Sequence, residues 1–107
     1  MNIPHTISLG CFILRVEIVE NLADGGEVCD GLFDPDTMTI KLRVGLNETQ
    51  LLCALWHEIK HLCTWFVGAD ENGLEEEQIV GRVEKAEVSV LIQNPALREA
   101  FDSFKQA

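Results

Sequence analysis

Basic residues are scarce in this chain. Its 107 residues include 8 Lys and Arg against 18 Asp and Glu, a formal net charge of −10. Phosphate backbones are held by basic surfaces, so the balance argues against nucleic acid as a direct partner. The acidity itself reads first as solubility. Long apolar runs are also missing: no uncharged stretch reaches the ~18 residues of a spanning helix. The N-terminus lacks the charged region and apolar run of a secretory signal. The expectation is a soluble, cytoplasmic protein that does not engage membranes. The four cysteines, Cys11, Cys29, Cys53 and Cys63, form no C-x-x-C pair. Cys53 and Cys63 fall about 15 Å apart along one predicted helix, too far to bridge. All four read as small buried hydrophobes with reduced thiols. Repeats, low-complexity segments and linkers are absent, which leaves one domain over 1–107. A domain of this size buries about 60–70% of its unfolded surface, enough for one modest core.

What the chain does have is the stretch Leu51 to Val67, LLCALWHEIKHLCTWFV. It reads as a helix that is apolar almost all round, and such helices are normally buried. In its middle stands His57-Glu58-x-x-His61, the H-E-x-x-H pattern of zinc hydrolases. At about 100° and 1.5 Å per residue, the two His lie about 40° and one turn apart, so both imidazoles can close on one ion. Zinc accepts neutral His nitrogens at about 2.0–2.1 Å. Glu58, rotated about 100° from His57, flanks the ion and suits a general base toward a metal-activated water. Leu51, Leu52, Leu55, Ile59, Leu62 and Phe66 form the opposite, core-facing stripe. The competing explanation is a pair of buried His satisfied by hydrogen bonds, with Glu58 as a salt-bridge partner.

Upstream, the apolar positions alternate. Ile7 and Leu9 are odd; Phe12, Leu14, Val16 and Ile18 are even. Two strands, about 6–9 and 12–20, are therefore predicted, with a bulge or tight turn at Gly10-Cys11. Asn21 to Glu27 is read as a loop. A short strand over 28–33, a turn at Asp34-Pro35-Asp36-Thr37 and an alternating strand over 38–44 suggest a hairpin. Asn47 and Gln50 make a capping box for a helix over about 48–67. A second helix is expected over about 75–93. Asn94-Pro95 breaks it, with Asn94 as N-cap of a third helix over about 95–105 whose apolar face is Leu97, Ala100, Phe101 and Phe104. The fold class is α+β: a small, mainly antiparallel sheet from about 6–44, then three helices.

A catalytic zinc takes three protein ligands and one open position. The extended H-E-x-x-H-x-x-G-x-x-H pattern is absent, since Thr64 and Val67 stand at the two later positions. A glutamate on the second helix is the better third ligand. On a wheel, Glu76 falls within about 20° of the stripe of Ile79, Val80, Val83, Ala86 and Val90. Glu75 and Glu77 fall further round and fit an acidic first turn favoured by the helix dipole. Glu87 shares the stripe but sits about 16 Å further along, which leaves it a supporting or buried partner.

A strand hairpin, an H-E-x-x-H helix, a short loop, a helix opening on Glu, then Asn-Pro and a last short helix resemble the minimal gluzincins. The chain looks like the small zincin-like proteins of bacteriophages and prophages in particular. The resemblance runs from about Ile7 to Phe104 and is most specific over Leu51 to His61 and Leu74 to Pro95. It implies Zn2+ held by His57, His61 and Glu76, with Glu58 as general base in a metallopeptidase. It also implies an edge strand aligning an extended protein or peptide substrate, a role that Met38 to Val44 would take. Larger peptidases of this type steady the oxyanion with Tyr, His or Arg. This chain has no Tyr, leaving His5 and Arg82. The alternative is a catalytically inactive, metal-stabilised protein-binding or regulatory module of the same fold. A third reading makes the H-E-x-x-H accidental.

Overall fold

The computed structural model describes residues 3–68 and 76–106, with side chains at all of these except 76 and 104–106. Strand β1 (Thr6–Leu9) and strand β2 (Phe12–Val19) pair antiparallel, with Leu9 opposite Phe12. The change of parity at Gly10-Cys11 is the turn between them. Gly10 takes φ +60°, and the ring of Phe66 lies 3.2 Å from where a Cβ would stand. Gly is the residue that tolerates both that φ and that approach.

Residues 21–27, read as a loop, instead build most of a miniature hairpin. Strand β3 (Ala23–Asp24) pairs with strand β4 (Glu27–Val28). Its turn residues Gly25 and Gly26 both have positive φ, as tight hairpins require. Strand β5 (Gly31–Asp34) then pairs antiparallel with strand β6 (Thr39–Arg43). In the turn between them the Asp36 N–H donates to Asp34 Oδ1 at 3.0 Å. Hydrogen bonds from Thr37 and Asp36 hold the Asp34 carboxyl below its ordinary value despite some desolvation.

The four-stranded sheet has the order β1-β2-β6-β5. Two of its pairings are antiparallel, and β2–β6 is parallel. Strand β6 is therefore interior. The edge beside the H-E-x-x-H helix is β5, not the strand over 38–44 expected to serve there.

Helix α1 (Glu48–Phe66) starts from Asn47, whose Oδ1 accepts from the Gln50 N–H while Gln50 Oε1 accepts from the Asn47 N–H. Helix α2 (Glu76–Gln93) and helix α3 (Pro95–Gln106) follow. One sheet face, Ile7, Leu9, Leu14, Ile40 and Leu42, packs on Leu55, Ile59 and Leu62 of α1, Val90 of α2 and Leu97 of α3, all essentially free of solvent. Each such Leu or Ile contributes about 1.5–3 kcal/mol by leaving water, so this face fixes how α1 lies. It lies rotated from the simple stripe: Ala54, Glu58 and Cys63 are buried, whereas Phe66 is 40% exposed. Trp65 and Phe66 pack edge-on against Phe12, and Trp65 also against Phe33.

Asn94 does not cap α3 with its side chain. Its Oδ1 accepts from the Ser8 N–H and its Nδ2 donates to the Ser8 carbonyl, both at 2.8 Å, and Nδ2 also donates to the Val90 carbonyl. The amide pairs with the open edge of β1 as a neighbouring strand would. Arg98 of α3 donates to the carbonyls of Leu91 and Ile92 at the end of α2, where a cation suits the helix dipole. Of the cysteines only Cys63 is buried; Cys29 is half-buried, and Cys11 and Cys53 are exposed. Among the described residues no helix is long and apolar enough to cross a membrane.

Candidate metal centre

The i, i+4 spacing on α1 brings His57 and His61 side by side. Their Nε2 atoms are 3.1 Å apart, with ring centroids 4.7 Å apart and planes crossing at 82°. Both side chains are exposed, so the alternative of two buried, internally satisfied histidines is not what the fold builds. Nitrogens 3.1 Å apart are close enough for both to hold one zinc, which would take His nitrogens at about 2.0–2.1 Å. The donor set therefore fits zinc as far as these two residues go. Without metal, the same separation is an N–H···N hydrogen bond whose direction depends on the tautomer.

The third expected ligand, Glu76, opens α2, but its side chain lies outside the described residues, and Glu75 lies outside them altogether. Among the described residues, no three His, Cys, Asp or Glu side chains gather as a metal-holding set. Glu77 is exposed on the first turn of α2. Glu87 pairs with Lys60, at 3.1 and 3.3 Å from its Nζ.

Glu58 is 5% exposed, next in sequence to His57 yet turned toward the sheet. Burial raises its carboxyl above the ordinary value; His61, His57 and a hydrogen bond from the Phe33 N–H pull the other way. Strand β5 makes this placement possible. A Cβ on Gly31 would come within 2.9 Å of Glu58 Cγ and 3.0 Å of its Oε2. A glycine inside a strand often marks such an approach. The sequence carries that signal at Gly31.

A cleft of about 430 Å³ contains His57, Glu58 and His61. Leu32, Phe33, Pro35 and Trp65 line it with apolar surface, and Asp24 of the β3–β4 hairpin lines it as well. A neighbouring cavity of about 590 Å³ shares His57 and Glu58 and includes Cys29, Asp30 and Cys53. Burial raises the Cys29 thiol above its ordinary value, reinforced by Asp24, Glu58 and Asp30 and opposed by Arg43. His5, one oxyanion candidate, lines a different cavity with Ile18 and Glu99. The other, Arg82, is exposed on α2 and is not among the residues lining the cleft. Among known proteins, the chain matches no family model, no curated sequence and no solved structure.

Proposed function

We propose that this protein is a zinc-dependent metallopeptidase of the zincin-like, gluzincin type, with His57, His61 and Glu76 as ligands and Glu58 as general base. The observation that carries the reading is the exposed His pair, nitrogens 3.1 Å apart, beside a carboxylate that is 5% exposed. When bound, zinc would supply a Lewis acid for the peptide carbonyl and lower the pKa of water. The chain's own part is proton handling and positioning. Glu58, its proton affinity raised by burial, takes a proton from the attacking water on its carboxylate and returns it to the departing amine nitrogen. The Phe33 N–H and the close backbone at Gly31 hold that carboxylate in place. The outer edge of β5 offers backbone groups to an extended peptide, and side-chain recognition falls to the cleft beside it. The reading places the protein in the cytoplasm, with reduced thiols.

The test is Glu58→Gln. It keeps the shape and removes the base, so the variant should fold and bind zinc as the wild type does while losing about 10²–10⁴ in turnover. A protein captured by the Gln variant and cleaved by the wild type supports the reading. A partner held equally by both and cleaved by neither would leave the inactive, metal-stabilised module.

A further inference from the structure

The cleft beside the His pair has a composition that selects a substrate side chain. Four of its walls are apolar: Leu32, Phe33, Pro35 and Trp65. Trp65 is 37% exposed, and its ring meets Phe33 edge-on at 5.9 Å, so the two form an aromatic surface. The polar groups are His57, His61, Glu58 and Asp24. The first three are taken up by the proposed chemistry. Asp24 is not. It is exposed on its short hairpin, and none of the hydrogen bonds and ion pairs among the described residues involves its carboxylate. The nearby Asp30, in contrast, is already answered by Arg43 at 2.8 Å.

Resting on the peptidase reading, we propose that the cleft receives a lysine or arginine side chain of the peptide substrate, with Asp24 as the specificity-determining carboxylate. The aliphatic stem of such a residue covers apolar surface while its head stays polar. Its cation meets both the face of an aromatic ring and a free carboxylate. A wholly apolar side chain would fill the same walls but strip water from Asp24 without replacing it, which costs free energy. An acidic side chain would be repelled by Asp24 and Glu58. The surrounding field points the same way: between Arg15 and Lys41 the chain has no basic residue, and that segment supplies the hairpin and β5.

The experiment separates recognition from turnover. Short peptide mixtures, degenerate except for one fixed Lys, norleucine or Glu, are titrated into zinc-loaded Glu58→Gln protein. The same mixtures are incubated with zinc-loaded wild type and the cut sites read by mass spectrometry. The Lys mixture should bind about five- to thirtyfold more tightly than the norleucine mixture, as a partly exposed ion pair plus a cation–ring contact would give. The Glu mixture should bind most weakly, and added salt should narrow the gap. Asp24→Asn should cut the Lys preference to the few-fold that the ring contact alone gives, with zinc affinity unchanged, and Asp24→Lys should reverse it. Binding with this preference but without cleavage would remove the peptidase reading and leave the cationic specificity standing. Equal binding of Lys and norleucine, no binding of either, or a preference untouched by Asp24→Asn would overturn the proposal. So would loss of zinc in Asp24→Asn, which would make Asp24 a ligand instead.

Discussion

Replacing Gly31 by alanine should disturb Glu58 and little else. Gly31 is not among the positive-φ residues, so the backbone accepts alanine and gains about 0.4–1 kcal/mol through a less flexible unfolded chain. The added methyl, however, would stand 2.9 Å from Glu58 Cγ, 3.0 Å from Oε2 and 3.3 Å from Cδ, where carbon contacts normally settle at about 3.5–4.0 Å. Strand β5 is held by its pairing with β6 and α1 by the core, so the side chain of Glu58 must move. Moving takes it off the Phe33 N–H. Overpacking of this kind costs about 1–3 kcal/mol; after the backbone gain, Gly31→Ala should destabilise the metal-free protein by about 1–2 kcal/mol. Urea unfolding with an unchanged m-value measures it. The decisive comparison is the same substitution in a Glu58→Ala background. There the clashing atoms are gone, and Gly31→Ala should become neutral or slightly stabilising, a coupling of about 1.5–3 kcal/mol. With zinc present, Gly31→Ala should lower turnover while leaving metal affinity intact. An equal cost in both backgrounds would refute the placement of Glu58 under β5.

Three further outcomes are expected. Asn94→Ala removes both bonds to the Ser8 backbone and the bond to Val90, so stability should fall by about 1–3 kcal/mol, with faster amide exchange at Ser8; unchanged exchange would contradict the strand-like role of the amide. In alkylation of the native protein near pH 8, Cys11 and Cys53 should react readily. Cys63, whose thiol burial and Glu87 push up to about 12, should react only on unfolding. Glu58 has a raised carboxyl pKa in the fold, so its contribution to stability is full below the ordinary carboxylate range and is lost as pH rises through the raised value. Metal-free Glu58→Gln, which cannot ionise, should therefore gain melting temperature over the wild type at neutral pH and lose that advantage in acid.

Much of this architecture is local and was legible as such. Strand parity located the turn at Gly10, the Asn47–Gln50 pair located the start of α1, and Asn-Pro separated α2 from α3. The His pair follows from helical spacing alone. What stayed hidden depended on pairings between distant segments. Nothing in residues 38–44 says that β6 is flanked by β2 as well as β5, and the edge beside α1 falls on β5, the other arm of the hairpin from the one the resemblance implies. Asn94 does hold the N-cap position of α3, its carbonyl accepting from the Leu97 and Arg98 N–H groups, but its side chain goes to Ser8, 86 residues away, which no sequential pattern shows. Cys53 resembled Cys63 in sequence context, yet the rotation of α1 set by Leu55, Ile59 and Leu62 leaves one outside and one inside. Asp24 comes to line the same cleft as Trp65 through a hairpin of two-residue strands, too short for periodicity to show.

The central claim is that the paired imidazoles of α1 hold zinc. Its most direct test is metal stoichiometry, measured by elemental analysis after loading the full chain with a slight excess of zinc and dialysing away the unbound metal, for the wild type and for the His57→Ala/His61→Ala variant. The account predicts one zinc per wild-type chain, a higher melting temperature in the loaded form and no bound metal in the variant. Full zinc occupancy in the double variant, or a wild-type chain that takes up no zinc and gains no stability from it, would contradict the account.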